Sequence, residues 1–472
     1  MFKQYHRDQA MLIPPTYIEL IDPKDLLFSV VDVMECLDYT PFIARYDRNG
    51  QHAYNPMMML TLLVYSYSIG IFSSRKMADR LQHDVRFRYL SGNQQPDFRT
   101  ICEFRKNHLD LIRKYFVEIV QLCIAAGLTK TQILGVDGSK LHASTSPKQT
   151  KERHTLDREL AKLQERIDQL LDIAELTDEE EEQAENVPSK LVESQLRRQR
   201  LLEAKRLLDA DKARKKVNLT DPDCREQHSV GPGYNAQIVV TGDNQMIVAA
   251  DVVIDRSDAG CLLPMIAQAE SNTDSVGVEK QVVADAGYES GSNLYHLEQS
   301  PHLDGYIASQ RQDLSKKFPT TPYSKTGFVY DPENESCTCP QGYPMSVKTR
   351  RINKGVSYVK FIGTACPHCP VRSQCTRAKR RTVEFSNADP AQSRMRAKME
   401  TDTAKKAMRR RAFTVEPVFG HLKQNLGFRR FHLRGLTQVK DEFLLLCTAF
   451  NITKIHRLLN GSTLSSRLGF AY

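Results

Sequence analysis

Hydrophobic and polar positions change their spacing several times along the chain, and each change marks an element. From 51 to 127 the period is helical. Asn55-Pro56 opens a helix to about Gly70, Ser73 or Ser74 can cap Arg75–His83, Pro96-Asp97 opens Phe98–Lys106, and a fourth helix follows to about Gly127. A turn between Ile69 and Leu81 is compatible with a helix-turn-helix or with plain helix packing. Residues 1–50 show no period, and Pro14-Pro15 and Asp22-Pro23 mark turns. A strand is predicted over 133–143. From Lys151 to Lys216 the chain is highly charged and almost free of Gly and Pro. Leu156, Leu160, Leu163, Ile167 and Leu170 step by fours and threes, the seam of a coiled coil. The acidic run Asp178–Glu182 and Val187-Pro188 break that seam, and a second helix, Ser189–Ala213, returns antiparallel.

Strand patterns resume at Tyr234–Thr241 and Met246–Ile254, joined by the turn Gly242-Asp243-Asn244. Asp258 is placed to cap a helix to Glu270. A strand then ends at Asp285, a helix starts at Ser290, and Gly305–Ser309 reads as a short strand. Residues 310–376 are rich in Pro, Gly, Ser, Thr and Cys. Helical spacing returns near Arg394 and lasts to Leu459. This order predicts an α/β fold, a mixed sheet with antiparallel strands first and parallel crossovers later. It divides the chain into an N-terminal all-α domain (1–127), core segments (128–150, 217–310 and 393–472), an inserted helical hairpin (151–216) and an inserted Cys-rich segment (311–392).

Composition narrows the class. Of 472 residues, 40% are apolar and 26% charged, as in a soluble protein with more than one core. The apolar stretch Met57–Phe72 is interrupted by Thr61, Tyr65, Ser66, Tyr67 and Ser68, so it predicts a core helix and no membrane partner. No secretory signal is visible, and 11 cysteines, an odd number, fit a reducing cytoplasm. The net charge of +9 is uneven: Arg377 to Arg434 holds 16 Lys or Arg against five acids. Such a block suits a polyanion, most simply nucleic acid, or it is a solvated helix face.

Three carboxylates carry the candidate chemistry. Asp137 ends the apolar run Ile133-Leu134-Gly135-Val136, though Asp137-Gly138 also reads as a turn. Asp285 ends Gln281-Val282-Val283-Ala284, where α/β sheets place their ligands. Glu416 and Lys423 lie two helical turns apart and share a face, and Pro417 fits if a helix begins at Glu416. Two Asp at strand tips and one Glu on a helix suit a pair of hard divalent cations. In the second insert, Cys337-x-Cys339, Cys366-Pro367-His368-Cys369 and Cys375 offer more than four soft ligands. Cys339, Cys366, Cys369 and Cys375 are the favoured set for a structural Zn²⁺, with reduced surface thiols as the alternative.

In combination, Gly135-Val136-Asp137-Gly138-Ser139, Val283-Ala284-Asp285-Ala286-Gly287-Tyr288 and Val415-Glu416-x-x-Phe419-Gly420-x-x-Lys423 resemble the three signatures of bacterial insertion-sequence DDE transposases. The tail Asn425-x-Gly427-Phe428-Arg429-Arg430-Phe431-x-x-Arg434-Gly435 extends the resemblance. It implies a ribonuclease-H-like core and an N-terminal DNA-binding domain. Asp137, Asp285 and Glu416 would hold two Mg²⁺ (or Mn²⁺), and the partners would be transposon-end and target DNA, bound by a homodimer. It implies DNA contacts by Lys423, Arg411, Arg429, Arg430 and Arg434. The family's Arg, four residues before the Glu, is here Ala412; Arg411, one residue further, is the nearest substitute. The rival readings are a metal-dependent nuclease that cuts without joining and a non-catalytic DNA-binding derivative.

Overall fold

The computed structural model describes residues 16–46, 53–176, 187–212, 214–309, 321–353 and 355–469. The acidic run Asp178–Glu182 lies outside the described residues. Among the described residues the N-terminal region is built from helices: α1 (Leu26–Glu35), α2 (Thr40–Ile43), α3 (Pro56–Ser68), α4 (Ser74–His83), α5 (Val85–Leu90), α6 (Phe98–His108) and α7 (Ile112–Ala125). Side chains start them as the sequence suggests. Asn55 accepts from the Met57 and Met58 amides, and Asp97 from that of Thr100. The expectation of irregular structure over 1–50 fails at α1 and α2. Asp25 caps α1 by accepting from the Leu27 amide, but Leu-Leu-Phe-Ser-Val-Val-Asp-Val-Met-Glu is apolar on nearly every side and hides its period. Helix α3 is buried from Met59 to Ser68, so it is core.

The central sheet contains β1 (Ile133–His142), β4 (Arg225–Gln227), β5 (Gly231–Thr241), β6 (Ile247–Val253), β7 (Lys280–Ala284) and β8 (Leu303–Ile307). β6, β5 and β1 pair antiparallel in that order, and β7 and β8 continue from β1 in parallel; β4 pairs with the start of β5. The fold is therefore mixed α/β with the strand sense expected. Helices α10 (Leu262–Asn272) and α11 (Gly291–Glu298) make the crossovers. The arm is a hairpin of α8 (Arg153–Leu176) and α9 (Val187–Ala210), tied at its base by β2 (Thr150–Glu152) and β3 (Lys216–Asn218). Leu156, Leu163 and Ile167 meet Leu201, Ala204 and Leu208 in a small core of its own.

The second insert is a five-stranded antiparallel sheet: β9 (Val329–Asp331), β10 (Ser336–Thr338), β11 (Pro344–Asn353), β12 (Val356–Gly363) and β13 (Thr382–Ser386), with a short helix α12 (Arg372–Cys375). Beyond it lie α13 (Asp389–Met399), α14 (Asp402–Thr414), α15 (Glu416–Gly420), a π turn at His421–Asn425, α16 (Leu436–Leu459) and α17 (Leu464–Leu468). Helix α16 packs on α3, α7, α1 and β6, so the N-terminal helices and the sheet share one hydrophobic core. Among the described residues no helix is long and apolar enough to cross a membrane.

Candidate active site

Alternate residues of a strand share a face, and Gly135, Asp137 and Ser139 present one face of β1. The segment from α14 to the π turn crosses that face. A Cβ on Gly135 would lie 2.2 Å from Val415 Cγ2, so glycine lets the junction of α14 and α15 press onto the strand. Arg411 Nη2 donates to Asp137 Oδ1 at 3.1 Å. Lys423 Nζ donates to the Ser139 hydroxyl and to the Lys140 carbonyl. The Gly-x-Asp-x-Ser pattern is thus the seat of the Glu-bearing segment. Asp137 is not a strand tip, as the sequence suggested. β1 runs on to His142 because β5 pairs with it along Leu134 to His142. Only the parallel neighbour stops there: Val136 pairs with Ala284, so Asp137 and Asp285 follow side by side.

Asp285 caps the turn Ala286–Tyr288 and accepts from the Gly287 amide at 2.9 Å. Helix α14 ends at Thr414, and Glu416 begins α15 with Pro417 in its first turn, where a missing amide hydrogen costs nothing. The three acids meet on one guanidinium. Arg411 Nη1 is 3.3 Å from Glu416 Oε1, and Nη2 is 3.1 Å from Asp137 Oδ1 and 3.9 Å from Asp285 Oδ2. Side-chain exposure rises from 15% at Asp137 to 44% at Asp285 and 58% at Glu416, so the site opens outward from its least exposed acid. Burial pushes the Asp137 carboxyl up to about 6; Arg411 opposes that, and Asp285 and Glu416 add to it.

Three converging oxygen donors are the right chemistry for Mg²⁺ or Mn²⁺. The partner that all three share is a cation, Arg411, which fits a site that balances negative charge with positive. Among the described residues, however, no group of three or more His, Cys, Asp or Glu is spaced to hold an ion. The Arg411 guanidinium occupies the centre instead. That departs from the expected DNA contact: Arg411 is buried, and its Nε has no hydrogen-bond partner. Lys423 is likewise half-buried against β1, and burial lowers its pKa. Arg429, Arg430 and Arg434 are exposed. Their loop is pinned to the end of β1, where His142 donates to the Arg429 carbonyl and Phe431 to the His142 carbonyl.

Two supports escaped the sequence reading. Asp258 does not cap α10. It accepts from Lys140 Nζ at 3.0 Å and from Asn235 Nδ2 and Gln237 Nε2 at 2.8 Å, on the face of β1 opposite Asp137. Gln237 in turn accepts from the Tyr288 hydroxyl, just past Asp285. The available signal was polar Asn235 and Gln237 on an otherwise buried strand, since buried amides need partners. Glu442, fully buried on α16, accepts from the His432 and Leu433 amides at 2.9 and 3.0 Å and from the Tyr67 hydroxyl at 2.9 Å. It anchors the loop of exposed arginines to the core.

Cys339, Cys366, Cys369 and Cys375 line one cavity in the second insert, while Cys337 is buried under the sheet against Met345. None of the eleven cysteines, all among the described residues, is in a disulfide.

Two family models match the chain. A transposase DDE domain covers residues 338–456, and a transposase domain (DUF772) covers 16–107. The first takes in Glu416, Lys423 and the four cysteines; Asp137 and Asp285 lie between the two matches. Together they support recognition of the chain as an insertion-sequence DDE transposase. No curated protein matches it. Among solved structures, the cryo-EM synaptic complex of piggyBac transposase with hairpin DNA is 11% identical, with 95% of this chain and 77% of that chain covered. The TM-score is 0.30, too low to relate one element to another.

Proposed function

We propose that this protein is the transposase of an insertion sequence. In this reading it binds the terminal inverted repeats as a homodimer, hydrolyses the phosphodiester at each end, and joins the freed 3′-OH to target DNA. The observation that carries the reading is the meeting of Asp137, Asp285 and Glu416 on one guanidinium. The strand order β6-β5-β1-β7-β8, antiparallel then parallel, supports a ribonuclease-H-like core. Asp137, Asp285 and Glu416 would hold two Mg²⁺ (or Mn²⁺), which when bound activate the attacking oxygen and stabilise the leaving one. β1 and β7 fix the two aspartates in register, and Gly135 sets the height of Glu416 above them. Arg411 offsets the acids' mutual repulsion before DNA arrives. Arg429, Arg430 and Arg434 face solvent on a pinned loop and position phosphates rather than read bases. The thiols of the second insert serve structure in this reading.

One observation favours a second reading: Arg411 sits where cations would, as in a non-catalytic DNA-binding derivative. The test is a joining assay on a supercoiled target, with duplexes copied from the DNA flanking the coding sequence, pre-cleaved and intact. Joined product with Mg²⁺ or Mn²⁺ is expected. Cut but unjoined DNA would favour the nuclease, and end binding without cutting would favour the derivative.

A further inference from the structure

We propose that Cys339, Cys366, Cys369 and Cys375 form a four-thiolate Zn²⁺ site that staples the second insert. The inference does not rest on the transposase reading. Three short segments bring the four cysteines to one cavity of about 30 Å³, the scale of a single small guest. Cys339 follows β10 at a tight turn, in which the Gly342 amide donates to its carbonyl at 2.8 Å and its own amide donates to the Tyr343 carbonyl at 2.9 Å. Gly342 takes φ +80°, the left-handed conformation that glycine adopts without strain. Cys366 opens a 3-10 turn that Cys369 closes, and Cys375 ends α12.

Details at Cys366 point to a ligand rather than an inert thiol. The Arg381 amide donates to its sulfur at 3.4 Å, so the sulfur is already held in place as an acceptor. A Cβ on Gly363 would lie 2.4 Å from the same sulfur, so the strand leaves that place for it. Competing ligands fall away. Cys337 faces Met345 within the sheet, and His368 is exposed and does not line the cavity. The thiols ring the space without yet standing at ligand spacing, since among the described residues no trio does. Binding therefore draws them inward, toward Zn–S distances of about 2.3 Å. Strands β9 and β10 have three residues each, and the insert's own core is small. A metal staple supplies what that core lacks.

The full chain, purified under reducing conditions without chelator, should carry about one zinc per molecule. Cobalt exchanged into it should give the visible bands of a tetrahedral ion and near-ultraviolet thiolate charge transfer. Cys369→Ser should lose most of the zinc, and Cys102→Ser, on exposed α6, should keep it. Alkylation of the intact chain should spare four thiols until a chelator is added. Because the cobalt spectrum and the alkylation count use the unaltered chain, misfolding of a variant cannot rescue or sink the proposal. Reduced protein that takes up neither zinc nor cobalt would overturn it, as would full zinc retention in Cys366→Ser and Cys369→Ser or recovery of these cysteines as disulfides.

Discussion

The two faces of β1 each carry an aspartate from a different part of the chain, and the two are treated differently. On one face Asp137 is half-buried, accepts from its neighbour's amide and from a single guanidinium, and is pushed up to about 6. On the other, Asp258 is surrounded by one ammonium and two carboxamides, all within 3.0 Å. Asp137 follows beside Asp285 on the paired strands β1 and β7, and Asp258 is near it too, since a Cβ on Gly287 would lie 3.0 Å from Asp285 Oδ1 and 3.3 Å from Asp258 Oδ2. An acid with its donors supplied holds the scaffold. An acid left short of donors, with two more carboxylates beside it, is the one that gains from cations.

The largest expected effect breaks the reactive side. Asp285→Asn should lower end cleavage about a thousandfold or more while leaving end binding within roughly twofold, read by gel shift and cleavage on one substrate. Cleavage at the wild-type rate would remove Asp285 from the site. Next comes the supporting side. Asp258→Ala strands three donors and should cost about 2–3 kcal/mol of stability in chemical unfolding, with activity falling only as far as folding does. A specific loss of cleavage in well-folded Asp258→Ala would merge the two roles.

Asp137 sharpens the contrast through pH. Its folded value, about 6, lies above the ordinary 3.8, so the folded state binds the proton more tightly. Its contribution is most favourable below about pH 4 and declines as pH rises through 6. Without metal, Asp137→Asn should therefore be more stable than wild type at pH 7, by on the order of 2–3 kcal/mol. The difference should vanish near pH 4. A constant difference across that window would deny the raised carboxyl. The smallest effect tests the seat of Glu416. Gly135→Ala should cost about 1–3 kcal/mol by overpacking against Val415, and Val415→Ala should recover part of both stability and cleavage.

Much of this arrangement is legible in the sequence because it rests on local rules. Asn55, Asp97 and Ser290 are ordinary caps; the leucine steps of 156–170 give α8; apolar runs ending in Asp give β1 and β7. Even the glycines beside Asp137 are visible, although their reason is not: each makes room for a side chain, Val415 at Gly135 and Gln237 at Gly138. What is hidden is set by tertiary contact. Strands β9 and β10, three residues each, are too short to show alternation. Asp258 looks like a helix cap until β5 is laid beside it. Arg411, one position out of register with the family pattern, still reaches all three acids.

Binding of Mn²⁺, followed by electron paramagnetic resonance with end DNA present, tests the shared carboxylate pocket most directly. The wild-type chain should immobilise Mn²⁺ at a site that Mg²⁺ displaces, and Glu416→Gln, Asp137→Asn and Asp285→Asn should each weaken it markedly. Equal Mn²⁺ binding by the wild type and all three variants would contradict the account.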